Sequence, residues 1–292
     1  MNSRKTIAAI LVTLVTAVAF ACHPPVTGTE DAGEYIESGN SKAKQGDYDG
    51  ALRDYDHAIS IDRKNPKAYN NRGFVKQLTG DLEGAAEDYS KAIRYDSGFA
   101  EAFYNRGCVK QRLGELKEAL KDLDKAIKIR PDYSDAVYRR GIVEFDLNEN
   151  EAASTDFYRL IELTGKSELV AKYSFLRICA IKWKTGREAE AKAEAKAYVD
   201  EALGDQWVDL LLKFAAGMID EEALTMASES DDAEANRERK CEAFFYMGQH
   251  RLASGDRDGA IELFKKCRNT KVDYFTEYYS AGYELERLAE NP

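Results

Sequence analysis

The stretch PKAYNNRGFVKQLTGDLEGAAEDYSKAI at residues 66–93 and the stretch AEAFYNRGCVKQRLGELKEALKDLDKAI at residues 100–127 place matching residue types 34 positions apart. Working outward, Gly73 and Gly107 belong to a series with Gly39 and Gly141 at the same 34-residue step. Gly46, Gly80 and Gly114 continue to Asn148, while Ala51, Ala85, Ala119 and Ala153 hold the register. Ala58, Ala92 and Ala126 run until Leu160 interrupts them, and Tyr35, Tyr69 and Phe103 run until Val137. A fixed period met at this many offsets is the mark of stacked repeats rather than of one globule.

Each unit reads as a first helix, a turn at glycine or asparagine, and a second helix running back against the first. Gly39 and its equivalents should face Ala51 and its equivalents where the helices approach most closely. Tyr35 with Tyr55, and Tyr69 with Tyr89, should fill the wider gaps. Pro66 and Pro131 mark exits from second helices. Composition agrees, with five prolines and 32% charged residues among 292, as two-faced helices with wet outer surfaces require. In period and residue types the chain resembles the tetratricopeptide-repeat (TPR) family over residues 32–165. That resemblance implies an all-α solenoid, a right-handed superhelix of antiparallel helix pairs, that binds other proteins and is not an enzyme.

Past Leu163 the strict period lapses, although Phe175, Gly186 and Ala191 keep the spacing of a degenerate fifth unit. The alternating charges and alanines of Glu188 to Ala197 read as an exposed helix. Residues 166–237 are therefore read as degenerate and bridging helices, those of Gln206 to Arg237 being short. A regular unit returns at Phe244, Gly248, Gly255-Asp256, Ala260 and Phe264. Residues 238–292 form a C-terminal repeat whose tail, Asp273 to Ala289, caps the stack against water.

The first 21 residues read as an export signal, with Arg4 and Lys5 before an apolar run from Ile7 to Phe20. That run, soon followed by Pro24-Pro25, is short for a membrane span. Two outcomes stay open after cleavage. Cys22 is placed for bacterial lipidation, with residues 22–31 as a tether and the outer membrane as destination; Ala19-Phe20-Ala21 also suits ordinary signal peptidase, leaving a soluble periplasmic protein. Residues 1–21 hold no acids, so their loss moves the formal charge from −10 to −12. With no basic stripe carrying interleaved aromatics, nucleic acid is excluded as a partner.

Catalysis and metal binding both need clustered donors, but His23, His57 and His250 are far apart and lack metal-spaced partners. No cofactor is expected. Cys241, read as opening a first helix, and Cys267, near the end of the second, should be brought together by antiparallel pairing. They form either a disulfide or two buried free thiols. Cys108 and Cys179 read as buried thiols.

In the TPR family the first helices line a concave groove. Carried onto this sequence, the resemblance assigns Ile36, Asn40 and Lys44, then Lys67, Asn70, Phe74 and Gln77, then Glu101, Tyr104, Gln111 and Arg112. The fourth unit adds Asp135, Tyr138, Ile142, Phe145 and Asp146. Lys44, Lys67 and Arg112 balance the acids, the aromatics offer rigid anchors, and Asn40, Asn70, Asn71 and Asn105 suit a peptide backbone. Ile36 and Glu101 stand where the carboxylate-clamping subclass has lysines, so a terminal carboxylate is not the expected ligand.

The whole plan, with Gln206-Trp207, Phe214, Gly217 and Ile219, then Phe275-x-Glu277-Tyr278 and Glu284-Leu285, resembles the NlpI family of outer-membrane lipoproteins. That resemblance implies a periplasm-facing adaptor, membrane-bound through its lipid alone, that brings together murein hydrolases and a periplasmic protease, with homodimerisation an option. The alternative is a lipoprotein that assists assembly of a pilus or secretion channel.

Overall fold

The computed structural model describes residues 31–202, 204 and 206–290, and every element in that range is a helix. Eight helices form four antiparallel pairs: α1 (Ala32–Lys44) with α2 (Tyr48–Ile61), α3 (Pro66–Leu78) with α4 (Leu82–Tyr95), α5 (Ala100–Arg112) with α6 (Leu116–Ile129), and α7 (Ser134–Asp146) with α8 (Asn150–Thr164). A fifth pair, α9 (Leu169–Lys184) and α10 (Glu188–Ala202), is followed by short α11 (Trp207–Ala215) and α12 (Glu221–Ala227). The chain ends in α13 (Ala233–Ala253), α14 (Arg257–Asn269) and α15 (Thr276–Glu290). Because α13 starts at Ala233, Cys241 lies inside a 21-residue helix rather than at its opening. Cys22 and the leader lie outside the described residues.

Local chemistry accounts for the pairs. Gly46, Gly80 and Gly114 turn each pair with φ near +80°, and Asn148 does so in the fourth at φ 64°. Asparagine is among the few side chains that tolerate this left-handed geometry. The Asp47 and Asp81 carboxylates then cap the returning helices by accepting from the Gly50 and Gly84 amides. A methyl group on Gly39 would lie 2.7 Å from the Tyr55 ring, and one on Gly141 2.9 Å from Phe157. The ring of the second helix therefore occupies the close approach expected of the small residue, with the Ala85 carbonyl also near Gly73. Tyr69 correspondingly packs on Tyr95 in a tilted pair, ring centroids 5.6 Å apart, rather than on Tyr89.

A periodic ion-pair staple runs through the same pairs. Arg72 donates two hydrogen bonds to Asp88, Arg106 two to Asp122 and Arg140 two to Asp156, at 2.6–2.8 Å. Each arginine also reaches the preceding unit, at Asp56, Ser90 and Asp124 respectively. Such two-pronged pairs at partly buried sites fix geometry as well as charge. Both the arginines and their aspartates repeat at the same 34-residue step in the sequence.

The fifth pair is less exposed than its composition suggests. Ala191, Ala195, Tyr198 and Val199 bury one face of α10, with Tyr198 stacked on Phe175 of α9 at 4.4 Å. Helix α9 carries Lys172, Arg177 and Lys182, all buried in an otherwise apolar run. Each has its acid: Asp209 at 2.7 Å, Glu277 at 2.8 Å, and Glu190 with Glu194. Buried cations require such partners.

Candidate protein-binding trough

The first helices α1, α3, α5 and α7 present one continuous wall, but its two halves have different surroundings. Over α1, α3 and α5 it is open to solvent, although Ile36 and Asn70 within it are buried. The Tyr55 hydroxyl donates to Asn40 Oδ1 at 2.8 Å, as does Asn71 Nδ2 at 2.8 Å. Asn70 donates to Asn71 and receives from Asn105, at 3.3 and 3.1 Å. These four amides thus form a hydrogen-bonded ladder across three helices. Beside it, Phe74 and Leu78 of α3 are 46% and 49% exposed. With Glu37, Lys44 and Glu101 they line a cavity of about 350 Å³.

Lys67 is exposed on the first turn of α3. Gln77 accepts from the Tyr89 hydroxyl at 3.1 Å, which ties it to the second helix of its own pair. Tyr104 is half-buried against Tyr133, ring centroids 5.1 Å apart.

From the end of α5 onward the wall is covered by the chain itself. Ser280 of α15 donates to Asp146 Oδ1 at 2.6 Å, and Gln111 donates to Asp146 Oδ2 at 2.9 Å. The Tyr283 hydroxyl donates to the Gln111 carbonyl at 2.6 Å, Arg112 donates to the Tyr279 hydroxyl at 3.1 Å, and Arg287 donates to the Asp146 carbonyl at 2.8 Å. Phe145 meets Phe245 of α13 at 6.3 Å, and Tyr138 packs against Phe157. The expected groove residues Gln111, Ile142 and Phe145 are therefore buried, and Arg112 and Tyr138 are engaged inside the molecule. Helix α15, expected to cap the end of the stack, instead also fills the rear of its hollow.

The clasp between α15 and the wall is electrostatic as well as apolar. Arg177 lies with its guanidinium carbon 4.6 Å from the Phe245 ring centre and 5.2 Å from that of Phe145, pairing with Glu277. Glu284 takes Lys184 at 2.8 Å and Gln249 at 3.1 Å. Although burial opposes it, Lys184 and Arg287 hold the Glu284 carboxyl below its ordinary value. Burial pushes Asp146 up to about 6 despite Arg177. It pushes Glu242, which accepts from the Trp207 indole and lies near Glu277, up to about 8.

The histidines are structural neighbours of rings. His57 packs on Tyr35 at 4.1 Å, and His250 sits between Trp183 and Phe214 with Glu188 at 3.2 Å. His23 lies outside the described residues. Among the described residues no group of three or more His, Cys, Asp or Glu is placed to hold a metal, and no helix is long and apolar enough to cross a membrane. Cys241 and Cys267 are free thiols with their sulfurs 3.3 Å apart.

Residues 39–80 and 78–114 match the family described as TPR repeat, and residues 100–133 match that described as tetratricopeptide repeat. These units are tetratricopeptide repeats. A tetratricopeptide repeat protein from Parabacteroides merdae is similar at TM-score 0.60 and 22% identity, over 89% of this chain and 99% of that one. MamA protein is similar at TM-score 0.52 and 23% identity, over 65% and 95%. PilF of Pseudomonas aeruginosa is similar at 0.52 and 18%, over 89% and 97%. At these identities the likeness is one of fold. The matched units are of the kind that serves as a scaffold for protein–protein interaction.

Proposed function

We propose that this TPR scaffold receives an extended segment of a protein partner in the open half of its trough. The observation that carries the reading is the amide ladder of Asn40, Asn71, Asn70 and Asn105 beside exposed Phe74 and Leu78. Side-chain amides can both donate to and accept from a peptide backbone, and the two apolar side chains offer a seat for one side chain of the guest. The docking surface is α1, α3 and α5, because α15 already occupies the remainder.

The resemblance to the NlpI family supports a more specific role: an adaptor of the bacterial envelope, held at the outer membrane through a lipid on Cys22, that brings murein hydrolases together with a periplasmic protease. A photocrosslinking amino acid in place of Phe74, introduced in cells, tests it. Hydrolase and protease should be captured there, and Asn40→Ala with Asn105→Ala should abolish the capture. Pilus or secretion-channel subunits at the same position would replace this role with assembly of another envelope machine. Capture from the convex position Lys121 and none from Phe74 would remove the trough from the function altogether.

A further inference from the structure

Seven residues before the close-approach glycine of a first helix, and seven after the close-approach alanine of its second helix, lie two matching places of the repeat. In the first unit they are Ala32 and Ala58, which share one apolar cluster, and in the third they are Ala100 and Ala126. In the C-terminal unit, counted from Gly248 and Ala260, the same two places hold Cys241 and Cys267. Both are fully buried, with Sγ atoms 3.3 Å apart. The remaining described cysteines, Cys108 and Cys179, stand on α5 and α9.

We propose that Cys241 and Cys267 are a covalent closure site, joined in a disulfide when the chain folds in the presence of a disulfide oxidant. A disulfide needs sulfurs about 2.05 Å apart, so the thiols must approach by only about 1.3 Å, within reach of side-chain rotation on two facing helices. With glutathione disulfide the chemistry balances. The Cys241 thiolate attacks one glutathione sulfur and expels the first glutathione thiolate, and the Cys267 thiolate then attacks Cys241 Sγ and expels the second. Two protein S–H bonds are lost and one S–S bond forms; the oxidant's S–S bond is reduced, and its two thiolates take up the two protons.

Timing follows from burial. In the folded chain neither sulfur meets solvent, and burial holds the Cys267 thiol well above its ordinary value, so little attacking thiolate exists once α13 and α14 have closed. Exchange therefore belongs to folding, and the finished bond is sealed from external reductant. The Cys267 sulfur also lies 3.6 Å from the Glu277 carbonyl. The bond thus braces the wall on which the first turn of α15 rests.

The full chain, unfolded in urea and refolded with oxidised and reduced glutathione, is alkylated under denaturing conditions and mapped by mass spectrometry. Cys108 and Cys179 should be alkylated, with Cys241 and Cys267 recovered in one cross-linked peptide that resists reductant until denaturant is added. Its thermal midpoint should exceed that of the reduced chain by several degrees. Cys267→Ala places in this unit the residue found at Ala58 and Ala126; it should fold and show one midpoint with or without oxidant. Alkylated Cys241 and Cys267 in wild-type protein, glutathione adducts on either, or pairing with Cys108 or Cys179 overturns the proposal. The same mapping on chain isolated natively from an oxidising compartment reads the bond where refolding yield is low.

Discussion

Arg177 in α9 and Glu277 in α15 form a buried ion pair at 2.8 Å, a hundred positions apart in sequence, with the arginine held over the rings of Phe145 and Phe245. This pair links the middle of the solenoid, the C-terminal unit and the last helix. Removing the cation alone leaves a carboxylate buried without its partner. Arg177→Ala should therefore cost about 3–5 kcal/mol. Urea unfolding measures the loss, and hydrogen exchange should rise first across residues 276–290. Arg177→Met combined with Glu277→Gln should recover much of it, since no unpaired charge remains.

The two halves of the trough should respond oppositely to truncation. Phe74→Ala removes an exposed side chain, so unfolding free energy should stay within about 0.5 kcal/mol of wild type while partner capture falls. Tyr138→Ala, packed within the interior against Phe157, should cost about 3–5 kcal/mol. Denaturation midpoints set beside crosslinking yields separate the two.

Close approach at the C-terminal unit makes Gly248 intolerant of a side chain. A methyl group there would meet the Phe264 ring at 2.6 Å, and that ring is fully buried and cannot swing away. Gly248→Ala should destabilise by about 1–3 kcal/mol. At the same helical place, Gly282→Ala, whose nearest neighbour is the Arg268 guanidinium at 3.6 Å, should be tolerated. Thermal scans of both variants decide the matter.

Stability should fall as pH rises from about 5 to about 8. Asp146, Glu144 and Glu242 are pushed up by burial to about 6, 7 and 8. Between the unfolded value and the folded one, only the folded chain holds the proton, so raising pH favours unfolding until the folded value is passed. The slope should be on the order of 1 kcal/mol per pH unit for each group inside its window. Glu284 and Asp88, held low by Lys184 and Arg72, act in the other direction and withdraw stability as pH falls below about 4.5. Glu242→Gln should flatten the limb between pH 7 and 8, read from unfolding midpoints across that range.

Much of this was legible in the sequence, for a physical reason. The turns at Gly46, Gly80, Gly114 and Asn148 need a left-handed backbone, and the glycines at 39, 73, 107 and 141 need room for a large side chain of the second helix, a ring in three units and Leu123 in the third, so each leaves a residue type at a fixed offset. The four asparagines stood out as groove residues, but their bonding to one another did not, because Asn40 falls outside the 34-residue register of Asn71 and Asn105. What escaped was contact without period. Tyr279, Ser280, Tyr283 and Arg287 belong to no repeat, and their partners Arg112, Gln111 and Asp146 looked like ordinary groove residues. The one available hint was compositional: a cation such as Arg177 in the middle of LVAKYSFLRICAIKWK demands an acid from elsewhere in the chain.

Repeat stacks ordinarily behave as zippers, each unit answering only to the next one along. Here the bond from Tyr283 to the Gln111 carbonyl joins positions 172 apart and turns the zipper into a loop with a buckle. Units three to five and the carboxyl end must melt together, whereas the first two units can fray alone. Two of the three helices left free for a guest, α1 and α3, thus lie in the part of the molecule that can yield without disturbing the rest, while α5 ties that surface to the locked part.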